Sequence, residues 1–148
     1  MKLLKTNNIN EDFIKLTHKL DTDLHTRYGT QSKEYDTHNK IEYLDTVLIG
    51  YLDKKAIACG CFRIVDKNII EIKRMFVNKR HRGKGYSTEL LTSLEAWAKE
   101  LGYLTIILET GKGQPEAISL YKKCQYKVID NYGPYKNLPN SICMEKQL

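Results

Sequence analysis

The stretch Val77-Asn78-Lys79-Arg80-His81-Arg82-Gly83-Lys84-Gly85-Tyr86-Ser87 decides the fold. A strand-forming run ends at Val77, a basic turn with two glycines follows, and an amphipathic pattern begins at Ser87. Glycine lets a backbone approach a ligand closely, and the free N–H groups of a new helix end, aided by the macrodipole, favour an anion. Lys79, Arg80, Arg82 and Lys84 add cations suited to a polyanion such as a pyrophosphate.

Downstream, Leu90, Leu91, Leu94, Trp97, Ala98 and Leu101 recur at helical period, which predicts a helix from Ser87 to Leu101 stopped by Gly102. Tyr103 to Glu109 is nearly continuous apolar sequence, the mark of a strand buried on both faces. Upstream, Ile69 to Val77 reads as a strand, so 69–109 forms a β-α-β unit with parallel strands and a right-handed crossover. Alternation puts Ile70, Ile72, Arg74 and Phe76 on one face of that strand and Glu71, Lys73, Met75 and Val77 on the other, unless a bulge switches the register.

Farther out, Lys2 to Thr6 suits an edge strand, and Phe13, Leu16, Leu20 and Leu24 predict a helix over about 10–27, capped by Asn8 or Asn10. Residues 28–43 lose periodicity and suit either a connector or a substrate lid. Thr46 to Leu52 and Ala56 to Val65 are strands joined across Asp53-Lys54-Lys55. After the loop 110–114, Pro115 opens a helix carrying Ala117, Ile118, Leu120 and Tyr121. Tyr126 to Ile129 and Ser141 to Lys146 are the last strands, separated by the turn-rich segment 131–140. The expectation is a single domain over 1–148: a mixed α/β sheet of six to seven strands with helices on both faces.

Composition narrows the function classes. A hydrophobic fraction of 41% and a charged fraction of 28% are ordinary for a globular protein. Leu3 and Leu4 fall short of a secretory apolar region and the longest apolar run is too short to span a bilayer, so a cytoplasmic protein without membrane association is expected. Cys59, Cys61, Cys124 and Cys143 lack metal-ligand spacing and the four histidines are scattered, so buried free thiols and no metal are expected. The net charge of +6 is concentrated, with six cations between Lys73 and Lys84. A basic patch can contact nucleic acid, but this one is brief and lacks an aromatic ladder for base stacking; a compact polyphosphate fits better.

Two familiar phosphate loops do not fit. Gly83-Lys84-Gly85-Tyr86-Ser87-Thr88 lacks the third glycine of the dinucleotide fingerprint, and Gly111-Lys112-Gly113 lacks the hydroxyl residue and upstream glycine of a nucleotide triphosphate loop. Arg80-His81-Arg82-Gly83-Lys84-Gly85 does resemble the acyl-CoA motif of the GNAT superfamily of N-acetyltransferases, Arg/Gln-x-x-Gly-x-Gly/Ala. Gln114-Pro115-Glu116-Ala117-Ile118-Ser119-Leu120-Tyr121 resembles the family's second signature, with Gln114 in place of the usual Asn. Gln125-Tyr126 stands where Gly-Phe is usual, which requires a left-handed Gln125 or a different turn. The resemblance covers about 45–130.

That resemblance implies acetyl transfer from acetyl-CoA, as co-substrate, to a primary amine by direct attack in a ternary complex. It implies that Met75, Phe76 and Val77 with Gln114 hold the pantetheine arm. It likewise implies that Arg82, Gly83, Lys84, Gly85, Tyr86 and Ser87 hold the pyrophosphate. Glu71 is the first candidate for general base, against an exposed carboxylate paired with a neighbouring lysine; Glu109 is the second, and Tyr121 aligns with the tyrosine that protonates the departing thiolate. Acceptor residues are expected from 25–43 and 131–140, with Tyr28, Tyr35, Tyr132 and Tyr135 forming an aromatic pocket and Arg63 or Arg74 binding a carboxylate. A small-molecule amine acceptor is expected, with the chain a monomer or homodimer. A non-catalytic CoA-binding module and an enzyme acting on protein N-termini or lysines are the alternatives.

Overall fold

The computed structural model describes residues 1–29 and 42–148; the expected acceptor-pocket residue Tyr35 and most of 25–43 lie outside the described residues. Seven strands form one sheet: β1 (Lys2–Thr6), β2 (Val47–Leu52), β3 (Lys55–Ile64), β4 (Ile69–Val77), β5 (Thr105–Gly111), β6 (Lys127–Ile129) and β7 (Ser141–Gln147). The helices are α1 (Glu11–Tyr28), α2 (Tyr86–Glu100) and α3 (Pro115–Lys123). Strand order is β1-β2-β3-β4-β5-β7-β6, antiparallel throughout except for the parallel β4–β5 pair that α2 connects.

Local chemistry sets the elements. Asn10 caps α1, its side chain accepting from the amides of Asp12 at 2.9 Å and Phe13 at 3.3 Å, while Gly29 ends the helix at positive φ. The β2–β3 turn is tighter than expected: Asp53 and Lys54 both take positive φ, the pattern of a two-residue type I′ hairpin. Gln125 adopts φ +74°, so it takes the left-handed conformation itself and preserves the turn.

The sheet is packed on both faces. On one, Phe13, Leu16 and Leu20 of α1 cover Val47, Ile49, Cys59, Cys61 and Phe76. On the other, Leu90, Leu91, Leu94 and Ala98 of α2, with Tyr121 and Tyr126, cover Ile57, Phe62, Ile70, Ile72 and Leu108.

β4 carries the bulge that straight alternation leaves out. Cys59 pairs with Phe76 and Cys61 with Lys73, so Gly60 faces both Arg74 and Met75, and Arg74 sits at φ +60°. The extra residue moves Met75 and Val77 to the face of Ile70 and Ile72, while Phe76 joins the α1 face. Arg74 points to α1 as well, where its guanidinium reaches Asp21 at 2.8 Å. The Cys61 and Cys59 thiols lie 3.3 and 3.5 Å from the bulge carbonyls of Lys73 and Arg74. Gly60 suits this packing, because a Cβ there would stand 2.7 Å from Met75 Sδ and 2.9 Å from Leu94 Cδ1, so both side chains would have to shift.

Candidate active site

The bulge has a partner feature on β5. Parallel pairing with β5 runs from Ile69/Thr105 to Ile72/Leu108 and stops. Beyond it, Phe76 and Val77 stay with β3 while Glu109 to Gly111 stay with β7, so β4 and β5 part and an opening forms between them. A cleft runs from this opening to the start of α2, and Lys73, Glu109 and Tyr121 line one end while His81, Gly83 and Ser87 line the other.

The anion end has the expected form. Gly83 and Gly85 have φ of +76° and +85°, and open space lies where a Cβ would stand on either. Gly85 is the N-cap of α2 and no side chain caps the first-turn amides, which leaves them for a ligand. Arg82 departs from a simple outward cation. Its Nε donates to the Val77 carbonyl at 2.8 Å, it lies 3.6 Å from Asp23, and it stacks over Phe76. Val77 is among the residues expected to meet the pantetheine arm, and its carbonyl already accepts one bond. Among the described residues, His81 Nδ1 is the buried side-chain atom that has no hydrogen-bond partner.

Tyr28 and Gln114 meet at the flank of the cleft. Tyr28 Oη lies 3.2 Å from the Gly113 amide and 3.3 Å from Gln114 Nε2. Arg27 adds a bond to the Gly113 carbonyl at 2.9 Å and an ion pair with Glu116, so the end of α1 is fastened to the β5–α3 loop. Tyr28 thus stands with the donor-side residues, apart from Tyr132 and Tyr135.

The two candidate carboxylates sit in one polar cluster with different surroundings. Glu71 is 2% exposed. Its Oε1 accepts from Arg63 Nε at 2.5 Å and its Oε2 accepts from the Tyr132 hydroxyl. It is buried rather than exposed, and both oxygens are engaged. Arg63 is correspondingly committed to Glu71, and Arg74 to Asp21 and the Thr17 carbonyl, which leaves neither of the two arginines expected to bind a substrate carboxylate uncommitted.

Glu109 lies across the opening. Its Oε2 accepts the Ser141 hydroxyl at 2.7 Å, and among the described residues no donor reaches its other oxygen. Burial pushes its carboxyl up from 4.5 to about 7, with Glu71 adding to that effect and the Ser141 bond and Lys73 opposing it. Lys73 lies 3.4 Å from the Tyr135 hydroxyl, and burial moves its ammonium below the usual lysine range. Tyr121 is 6% exposed and stacks edge-on against Tyr126 at 5.6 Å. Burial first and Glu109 second raise its phenol well above the ordinary value, so it remains a protonated donor. Tyr126 is fixed in turn by Glu95 at 2.7 Å, which Lys146 also holds.

Ser141 and Lys73 are the residues that sequence reasoning left out of the site. Glu109 pairs with Cys143 on β7, which brings Ser141 to the diagonal position, but that register is a long-range property. Among the described residues, no group of three or more His, Cys, Asp or Glu could hold a metal ion, and no helix is long and apolar enough to cross a membrane.

The family model described as acetyltransferase (GNAT) family matches residues 12–126. An IAA acetyltransferase of Azospirillum brasilense is 34% identical over 102 residues, 68% of this chain and 67% of that protein. A structure from Klebsiella pneumoniae assigned as an acyl-CoA N-acyltransferase superimposes with a TM-score of 0.82 at 29% identity, covering 99% of this chain and 97% of that one. A GNAT family acetyltransferase from Elizabethkingia anophelis, solved with acetyl-CoA bound, shares the fold with a TM-score of 0.61 at 21% identity over 69% of this chain and 75% of that one. With its parted β4 and β5 strands and its glycine turn at the start of α2, the chain belongs to the acetyltransferase (GNAT) family, whose reaction is acetyl-CoA-dependent acyl transfer.

Proposed function

We propose that the protein acetylates the primary amine of a small molecule, with Glu109 taking the amine's proton and Tyr121 donating to the departing sulfur. The observation that carries this reading is the β4–β5 opening, lined by Lys73, Glu109 and Tyr121 at the far end of a cleft that starts at the α2 N-terminus.

The residues present fit acetyl-CoA. The open space over Gly83 and Gly85, the uncapped first turn of α2 and the unpartnered Nδ1 of His81 are what a polyanion with a polar arm would satisfy. Amides from Arg82 to Ser87 would hold the pyrophosphate, and Met75, Phe76, Val77 and Gln114 the pantetheine arm. Acetyl-CoA supplies an acetyl thioester, whose carbon–sulfur bond is exchanged for the new amide bond.

Most amines are protonated near neutrality, so the site must remove a proton before attack. Glu109, titrating at about 7, is matched to that task. Glu71 is a weaker candidate, since Arg63 and Tyr132 already occupy its oxygens. Tyr121 has a phenol raised above the ordinary range, which suits a hydrogen bond to developing thiolate better than early proton loss. Tyr132 and Tyr135 meet edge to face at 5.7 Å on the loop before β7, on the side of Glu71.

Chemical unfolding with and without acetyl-CoA tests the donor half: at about 100 times the dissociation constant, binding adds roughly 2.7 kcal/mol. Thiol release across a panel of primary amines then tests the acceptor half. No stabilisation by acetyl-CoA, with stabilisation by nucleic acid instead, would overturn the reading.

A further inference from the structure

The two carboxylates of the cluster each receive a hydroxyl from the stretch that leaves β6 and enters β7. Tyr132, near its beginning, donates to Glu71, and Ser141, at its end, donates to Glu109 Oε2 at 2.7 Å. Asn131 closes the segment on itself: its side-chain amide lies 3.2, 3.4 and 3.2 Å from the carbonyls of Tyr135, Leu138 and Ser141. The Ser141 amide adds a bond to the Leu138 carbonyl at 3.1 Å, and Ser141 is only 5% exposed. A buried hydroxyl on a strand held this way has little freedom to turn elsewhere. Its one hydrogen is aimed at a carboxylate that lines the cleft.

We propose that Ser141 is a positioning residue for the amine's proton transfer, holding one oxygen of Glu109 against the β7 edge so that the other serves the acceptor, and favouring the ionised carboxylate. This rests on Glu109 being the base. A hydroxyl that donates to a carboxylate favours its charged form, whereas burial favours the neutral acid. Around Glu109 stand Glu71 and Lys73 from β4, with Arg63 of β3 behind Glu71. Among the described residues, Tyr121 of α3, Tyr135 of the loop and Cys143 of β7 are its other titratable neighbours. Lys73 also favours the charged form and Glu71 disfavours it, but neither is altered when the serine hydroxyl is removed. The effect of Ser141→Ala therefore reports the hydroxyl.

The test is carboxyl NMR on protein labelled with carbon-13 at glutamate Cδ, with Glu109→Gln assigning the resonance. Ser141→Ala should move the Glu109 midpoint up by about one pH unit, a roughly tenfold rise in proton affinity, from loss of a charge-assisted bond. Ser141→Thr, which keeps a hydroxyl and guards against a folding defect, should stay near the native midpoint. Thiol release with the primary amine panel should show its acid limb moving the same way in Ser141→Ala and recovering at high pH. An unmoved midpoint in Ser141→Ala, or a Thr variant that behaves like Ala, overturns the role of the hydroxyl while leaving the base reading intact. Full turnover in Glu109→Gln overturns the base reading, and this proposal with it.

Discussion

Folding stability offers a test of Glu109 that needs no acceptor. Burial raises this carboxyl from 4.5 to about 7, so the folded chain binds its proton more tightly than the unfolded chain does. The sign follows: the associated stability is fully present below about 4.5 and is lost as pH climbs through about 7. At roughly 1.4 kcal/mol per pH unit, a difference between 4.5 and about 7 corresponds to about 3 kcal/mol. Glutamine carries no proton to lose. Urea denaturation of the native protein and Glu109→Gln at pH 4.5 and 8.5 should therefore show the variant gaining about 3 kcal/mol relative to the native protein over that interval. In melting temperature the same change is on the order of 10 °C for a chain of this size. Lys73, Glu71 and the remaining titrating groups contribute to both curves and largely cancel in the difference. Parallel curves for the two proteins would refute the buried, proton-holding state of Glu109 and remove the physical basis for its choice over Glu71.

Three further substitutions probe the frame around this group. Tyr121→Phe should lower turnover about tenfold or more while leaving the stabilisation by acetyl-CoA unchanged, and native turnover would remove the hydroxyl from the chemistry. Gly60→Ala places a Cβ 2.7 Å from Met75 Sδ and 2.9 Å from Leu94 Cδ1. It should destabilise the fold by about 1–3 kcal/mol in urea denaturation; an unchanged midpoint would show that the two side chains yield freely. Gln125→Gly relieves a non-glycine residue at φ +74°, and the relief exceeds the added chain entropy, so stability should rise by roughly 0.5–1 kcal/mol. A loss of stability would contradict the strain.

The glycine turn proposed to hold the donor was legible because it is local. Gly83, Gly85 and the start of α2 lie within a few residues of one another, and an anion cradle of this type needs little beyond chain direction and glycine spacing. The fold was legible for a related reason: the helical stripe of α2 and the apolar run of β5 each declare their own periodicity. The bulge was encoded less openly. Ile70 and Ile72 keep one alternation and Met75 and Val77 resume it after three positions instead of two, a phase slip that marks one inserted residue. Read that way, the sequence separates Arg74 from the Ile70 face.

The choice between carboxylates depends on partners far away in the chain, and residue type alone does not reveal them. Glu71 sits in a strand that reads well from sequence, yet what decides its chemistry is Arg63 on β3 and Tyr132 beyond β6, which together engage both its oxygens. Glu109 lies on a strand that looks nearly all apolar, yet the antiparallel register of β5 with β7 brings it Ser141 as its hydrogen-bond donor among the described residues. Two similar glutamates on neighbouring strands thereby differ: Glu71 is held in an ion pair with Arg63, while burial raises the Glu109 carboxyl. That divergence arises from the burial of Glu109 and from the bonds of Arg63 and Tyr132 to Glu71, so substitutions at Tyr132 and Ser141 should redistribute the two roles more readily than changes in the glycine loop proposed to hold acyl-CoA.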